Sequence, residues 1–373
     1  FLAPYDVSEK KIAKIQEQFG DDSLNIVKRD PFQLCRISGF GFLTVDAIAK
    51  KTKVSLKNPL RYAGAITFTL EEARSSGHLF LPRDKLLERC HALLNDGLPR
   101  ELVSRAEIET TLYSEHQNGK IYVEKERVYL TFDRTCEVQA AKRLVSLLLS
   151  DPVHGIPDLE NEIRKTEAKI GQALAPSQKD AVKLCLSNRC SIITGGPGVG
   201  KTTTLRAILD IYHRIYPDHE LLLAAPTGKA SRRMTEQTGL PASTLHSAMG
   251  IVSESDLGLE KPEFLEADFV VVDEYSMVDM SITYALFQRL KPGVQILFVG
   301  DPDQLPSVGP GNVLRELLRS GMIPTAILDT VFRQAANSRI YLNAYAVNHN
   351  DTHLMFGEDF AMCEAKDAEA AAA

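Results

Sequence analysis

The octet Gly195-Gly196-Pro197-Gly198-Val199-Gly200-Lys201-Thr202 constrains this chain more than any other feature. It follows the apolar run Ser191-Ile192-Ile193-Thr194 directly, and a helical pattern starts at Thr203. G-x-x-x-x-G-K-[ST] between a strand and a helix is a phosphate-binding loop. Its glycines allow backbone angles that turn successive N–H groups inward as an anion nest. Lys201 is placed to reach β- and γ-phosphates, and the Thr202 hydroxyl to ligate Mg²⁺. Gly195, Gly196, Pro197, Gly198, Val199, Gly200, Lys201, Thr202 and Thr203 are therefore the candidate ATP-binding residues. A P-loop fold needs a parallel sheet around such a loop, and three more apolar runs supply it.

Phe269-Val270-Val271-Val272 ends in Asp273-Glu274. In this fold class an acidic residue at a strand's C-terminal end lies beside the phosphate loop. Asp273 is expected to hold Mg²⁺ with Thr202, and Glu274 to polarise the attacking water. The same carboxylates would also serve to cap a helix near Asp279. Gln295-Ile296-Leu297-Phe298-Val299 leads into Gly300-Asp301-Pro302-Asp303-Gln304-Leu305, where Gln304 either donates to a γ-phosphate or water, or completes a plain turn. Leu221–Ala225 runs into Pro226-Thr227-Gly228-Lys229-Ala230, and Thr244-Leu245-His246 follows. Singly, these last two segments carry no chemistry.

Two regions precede the nucleotide-binding part. Residues 1–57 contain Ile37-Ser38-Gly39-Phe40-Gly41-Phe42 followed by Val45, Ile48 and Ala49 at helical spacing. Val7, Ile12 and Ile15 repeat this pattern 33 residues earlier, as a weak tandem. Gly39 and Gly41 permit a tight hairpin with open amides beside a helix N-terminus, which suits a phosphate. This is a helix-hairpin-helix-like signal for DNA-backbone contact; a simple packing turn fits the same residues. Residues 58–152 read as helices after Pro82 and over about Arg100–Tyr113, then a β-hairpin of Ile121-Tyr122-Val123 and Val128-Tyr129-Leu130. That order is winged-helix-like, in a positioning or a DNA-binding role. A further helix is expected over Leu159–Lys169. Residues 153–373 form the third region.

Composition narrows the class. Net charge is −6, from 43 basic and 49 acidic residues, but residues 1–175 hold 26 basic and 25 acidic and the remainder 17 and 24. The acidity thus belongs to the nucleotide-binding half, and distribution decides what a charge excludes. No run of about 18 apolar residues exists, so a membrane-spanning helix is not expected. Cys35, Cys90, Cys136, Cys185, Cys190 and Cys363 form no C-x-x-C pair. They read as free thiols of a reducing, cytoplasmic compartment.

Taken together and in this order, Gly195–Thr202, Ala225–Ala230, Thr244–His246, Asp273-Glu274-Tyr275-Ser276-Met277, Gly300–Leu305 with Ser307–Asn312, and Val331-Phe332-Arg333-Gln334 resemble the motifs of superfamily-one DNA helicases. They resemble in particular the RecD-like type that acts without RecB and RecC partners. The resemblance implies an α/β fold: a RecA-like P-loop domain of a parallel sheet with flanking helices, preceded by helix-hairpin-helix and winged-helix-like modules. It implies ATP and Mg²⁺ as ligands, with single-stranded DNA and single/double-strand junctions as partners. It implies that Gln178 reads the adenine edge and that Gln304 couples the γ-phosphate to movement. Arg333 would reach the γ-phosphate from an inter-domain cleft. Pro226, Thr227, Lys229, Thr244, Leu245 and His246 would line a single-stranded DNA track, with Gly39 and Gly41 as further DNA contacts. Residues 250–265 stand where such helicases carry a small pin hairpin, and polarity would be 5′-to-3′.

A second RecA-like domain and a leading small β domain are not found in the sequence. The expectation is accordingly a monomeric chain of accessory modules plus a first motor domain, inactive by itself. Two alternatives share some of the features. A non-translocating ATPase switch would keep the phosphate loop and Asp273-Glu274 but not the track segments. A DNA-binding module with a vestigial ATP site would have lost Glu274.

Overall fold

The computed structural model describes residues 9–37, 40–51, 54–151, 153, 155–253, 256–257, 262–330 and 338–362. Chain contacts divide it into two compact units, residues 1–138 with 308–311, and residues 139–307 with 312–373.

The first unit opens with α1 (Glu9–Phe19) and α2 (Ser23–Arg29), then a six-residue 3₁₀ turn, then α3 (Phe42–Lys51). Their apolar faces close a small core of Ile15, Val27, Phe32, Leu34, Val45 and Ile48. A second core lies under α4 (Pro59–Ser75), β1 (Phe80–Pro82), α5 (Arg83–Asn95), α6 (Arg105–Gln117), β2 (Ile121–Glu124) and β3 (Arg127–Leu130). β2 and β3 form the expected hairpin. β1 adds a third antiparallel strand on β3, pairing Phe80 with Tyr129. Arg61 is fully buried between these cores, held by Asp46 through Nε at 2.5 Å and Nη2 at 3.2 Å.

The helix read as starting near Arg100 starts later, at Arg105. Ser104 caps it with a complete capping box: its Oγ accepts from Glu107 N–H, and the Glu107 carboxylate accepts from Ser104 N–H at 2.9 Å. The Asn95 side chain holds the preceding residues extended by accepting from the Leu102 and Val103 N–H groups. A serine cap with glutamate three residues on outweighs the propensity of Glu101 and Leu102.

α7 (Thr131–Leu148) follows, with the division at residue 138 inside it. Ala140, Leu144 and Leu147 lie in a core of the second unit. That unit continues with α8 (Leu159–Ile170), α9 (Pro176–Ser187), β4 (Cys190–Thr194), α10 (Lys201–Ile215), β5 (Leu221–Ala225), α11 (Gly228–Thr238), β6 (Ala242–Thr244), α12 (Leu245–Ala248), β7 (Phe269–Val272), α13 (Met280–Arg289), β8 (Gln295–Gly300), α14 (Val313–Ser320), β9 (Thr325–Ile327) and α15 (Arg339–Asn348).

The six strands form one sheet in the order β6-β5-β7-β8-β4-β9, and every pairing is parallel. β4, β7 and β8 are buried along their whole length. Their unbroken apolar runs fit strands covered by helices on both faces. β6 and β9, the short edges, carry too little apolar pattern to be read from sequence. α8 is tied to α10 by a charged network in which Arg214 Nε donates to Glu162 at 2.7 Å and Thr166 Oγ1 to Asp210 at 2.6 Å. Among the described residues no helix is long and apolar enough to cross a membrane, and Cys35, Cys90, Cys136, Cys185 and Cys190 are free thiols.

Candidate nucleotide site

All candidate residues described in the second unit except Gln178 gather at the C-terminal edge of the parallel sheet, where ligands bind open α/β folds. The loop after β4 turns on Gly195, Gly198 and Gly200, at φ +154°, +76° and +81°. Gly195 also admits a close approach: a Cβ there would stand 2.5 Å from the Leu328 carbonyl and 2.9 Å from Val199. Val199 is buried beneath the loop. Lys201 opens α10, and its Nζ turns back to donate to the carbonyls of Gly195 and, at 2.9 Å, of Gly196. Burial lowers the Lys201 pKa, against the opposing pull of Asp301, Glu274 and Asp273. The lysine thus lies on the loop that would cradle an anion, within electrostatic reach of three carboxylates.

β7 and β8 deliver those carboxylates. Asp273 follows the end of β7; its N–H bonds the Ala224 carbonyl at 3.0 Å and its carboxylate accepts from Glu274 N–H at 2.8 Å. Burial raises the Asp273 pKa. Glu274 adopts a left-handed backbone, φ +51°, which a non-glycine residue holds at a cost of order 1–3 kcal/mol. The conformation is held from the far side by Tyr275, fully buried against Phe298 with its hydroxyl on Thr283. Burial raises the Glu274 pKa, reinforced by Asp273 and Asp301 and opposed by Lys201 and Arg233.

The Gln304 amide donates to Asp301 at 3.1 Å, and Asp301 also accepts from Asp303 N–H. Asp301 is buried and was not singled out from sequence. The register of β8 on β4, with Gly300 opposite Thr194, carries the signal that would have found it. α11 also contributes unforeseen groups, since Thr202 Oγ1 donates to Gln237 Oε1 at 3.4 Å. A cavity of about 350 Å³ opens at the loop, bordered by Gly196, Pro197, Asp301, Gln304, Tyr341 and Tyr345.

Gln178 lies under the loop rather than in its mouth. It is fully buried, accepts from Ala175 N–H at 2.9 Å and donates to the Gly200 carbonyl at 3.2 Å. Reading an adenine would require it to leave one of these partners. Thr203 is half-buried on the first turn of α10.

The segments read as a DNA track meet side by side, because β5 and β6 pair with Ala225 opposite Thr244. Thr227 caps α11 by accepting from Ala230 N–H, and Thr244 caps α12 by accepting from Ser247 N–H. Pro226 is half-buried, and Lys229 and His246 are exposed. In the first unit Gly41 is exposed, and its carbonyl accepts from Thr44 and Val45 at the start of α3. Gly39, Arg333 and Gln334 lie outside the described residues, as does much of the 250–265 segment read as a pin. No strand occurs among the described residues of that segment.

The donor set fits a nucleotide and a hard cation. The loop amides and Lys201 address phosphate oxygens, and Thr202 and Asp273 are oxygen ligands. Among the described residues no group of three or more His, Cys, Asp or Glu could hold a metal ion by itself. Mg²⁺ characteristically takes one or two protein oxygens and completes its shell with phosphate and water.

Residues 1–80 match the family described as the ATP-dependent RecD2 DNA helicase HHH domain, and residues 178–310 match a family described as AAA domain. The chain is 32% identical over 345 residues to the ATP-dependent RecD2 DNA helicase of Deinococcus radiodurans, covering 90% of this chain and 47% of that protein. The chain is similar to RecD-like helicases over nine-tenths of its length. It is also 32% identical over 205 residues to the RecBCD enzyme subunit RecD of Mycolicibacterium smegmatis, covering 49% of this chain and 36% of that one. It thus spans under half the length of these RecD-like relatives. A solved Pif1 helicase from Candida albicans aligns with TM-score 0.36 and 24% identity over 47% of this chain and 44% of that one.

Proposed function

We propose that this chain binds ATP with Mg²⁺ and serves as a first motor domain, with its accessory modules, in an ATP-dependent 5′-to-3′ DNA helicase. The observation that carries the reading is the phosphate loop. Lys201 lies there in the field of Asp273, Glu274 and Asp301, on the same sheet edge as the paired segments 226–229 and 244–246.

In this reading the loop amides and Lys201 hold the phosphates, and Thr202 and Asp273 hold Mg²⁺, which would neutralise charge on the phosphate oxygens. Glu274 accepts the proton of the attacking water; a carboxylate whose pKa is raised by burial is better matched to that task than a solvated one. Gln304, oriented by Asp301, senses the γ-phosphate, and Arg333 completes the charge balance when a second RecA-like domain closes on the site. Gln178 holds Gly200, and so the loop, in place before it meets adenine. Pro226, Lys229, His246 and the caps Thr227 and Thr244 track single-stranded DNA, and Gly41, with Gly39, offers amides to duplex phosphates at a junction. Strand β5 adjoins β7, so closure at Asp273 is transmitted one strand across to the track.

Binding of a fluorescent ATP analogue to this chain, with and without Mg²⁺, tests the site. Lys201→Ala should remove binding. Strand displacement on tailed duplexes by the protein that carries this chain tests the motor; unwinding that survives Lys201→Ala would sink the assignment. ATP turnover that DNA does not stimulate would favour an ATPase switch instead.

A further inference from the structure

The geometry points to Arg233 on α11 as a further nucleotide-contacting residue that recognises the γ-phosphate. The inference rests on the ATP reading above.

α11 buries Ser231 and Met234 against the sheet. With those positions inward, Ala230, Arg233 and Gln237 share an adjoining face, spaced three and four residues apart. Gln237 fixes where that face points, because its amide oxygen accepts the hydrogen bond of Thr202. Arg233 stands one helical turn, about 5.4 Å, closer to the helix N-terminus and so to the ligand-bearing end of the sheet. Its charge acts on Lys201, Asp273 and Glu274 together. Three groups from two different elements thus lie within its electrostatic reach.

The side chain is nevertheless uncommitted. Arg233 is exposed and makes no ion pair among the described residues. Three carboxylates, Asp273, Glu274 and Asp301, act electrostatically on Lys201, whose Nζ is turned onto loop carbonyls. A nucleoside triphosphate brings further negative charge to the γ end of that site, and a diphosphate does not. A long, permanently charged fork with five donors on the open flank can meet those oxygens. Arg232, the adjacent exposed arginine, is turned about 100° from Arg233 around the helix and serves as the internal control. α11 would then touch both ligands, DNA at its Thr227 cap and the γ-phosphate at Arg233.

The test is equilibrium binding of Mg²⁺ with mant-ATPγS and with mant-ADP to this chain. Arg233→Ala should weaken the triphosphate by about 5- to 20-fold, the range of one charge-assisted hydrogen bond at a partly solvated site. The diphosphate should change by less than about 2-fold. Arg233→Lys should recover part of the loss, Arg232→Ala should bind both as the parent does, and all three should melt as the parent does. Equal loss of both nucleotides, no loss of either, or the same loss from Arg232→Ala would overturn the proposal. Failure of the unsubstituted chain to bind either nucleotide would instead overturn the ATP reading, and this inference with it.

Discussion

Replacing Gly195 by alanine isolates the geometry on which the phosphate site depends. The added Cβ would lie 2.5 Å from the Leu328 carbonyl oxygen and 2.9 Å from Val199 Cγ2, at a φ of +154°. The first neighbour is backbone just past β9, so the clash cannot be relieved by a rotamer change; either the loop or that strand end must shift. Backbone strain of this kind costs of order 1–3 kcal/mol, and overpacking a tight site adds about 1–3 kcal/mol. The two together are expected to cost roughly 2–6 kcal/mol, which for a unit of this size lowers Tm by about 5–25 °C. Differential scanning calorimetry or circular dichroism reads the shift. Gly196→Ala is the matched control, because a Cβ there meets nothing within 4 Å and its φ is ordinary. It should leave Tm within about 2 °C, the span of a surface substitution. A Gly195→Ala protein as stable as the parent, or a Gly196→Ala protein equally destabilised, would refute the argument that the loop is locked against β9.

Three other outcomes follow from the packing. Asp46→Ala leaves the buried Arg61 guanidinium without its carboxylate, and should destabilise the first unit by about 3–5 kcal/mol in urea melts. Ser104→Ala removes the Oγ acceptor that caps the Glu107 N–H at the start of α6, leaving the backbone half of the capping box, and should cost about 1 kcal/mol by the same measurement. Hydrogen bonds from Lys165 and Arg214 hold Glu162 below its ordinary value of 4.5, and those from Lys179 and the Leu174 N–H do the same for Glu167. Depressed carboxylates stabilise above their unfolded pKa and stop doing so as pH falls through the folded one. Hydrogen exchange should therefore show α8 loosening as pH drops below about 4.5 while its protection is flat from there to neutrality. Protection that survives to pH 2 would contradict the network's role.

The legible parts of the molecule were those in which local pattern and tertiary role agree. β4, β7 and β8 are continuous apolar runs because both of their faces are covered, and Lys201, Thr202, Asp273 and Glu274 follow from the strand ends they occupy. β1, β6 and β9 are three-residue strands held by their neighbours, and nothing local marks them. Asp301, Arg233 and Gln237 escaped for another reason. Their relevance lies in strand register and in one face of α11, and both are properties of the assembled sheet. Gln178 shows the converse: its motif position pointed to a base, while its burial and its bond to Gly200 give it a bracing role that no residue pattern announces.

The turned-back side chain of Lys201 has a consequence for how a ligand enters. The loop supplies a donor to its own carbonyls, so the Lys201 ammonium is already hydrogen-bonded within the loop it serves. A phosphate that takes this lysine exchanges two internal bonds for external ones, and its net gain is the difference between them rather than the full worth of a new charge-assisted bond.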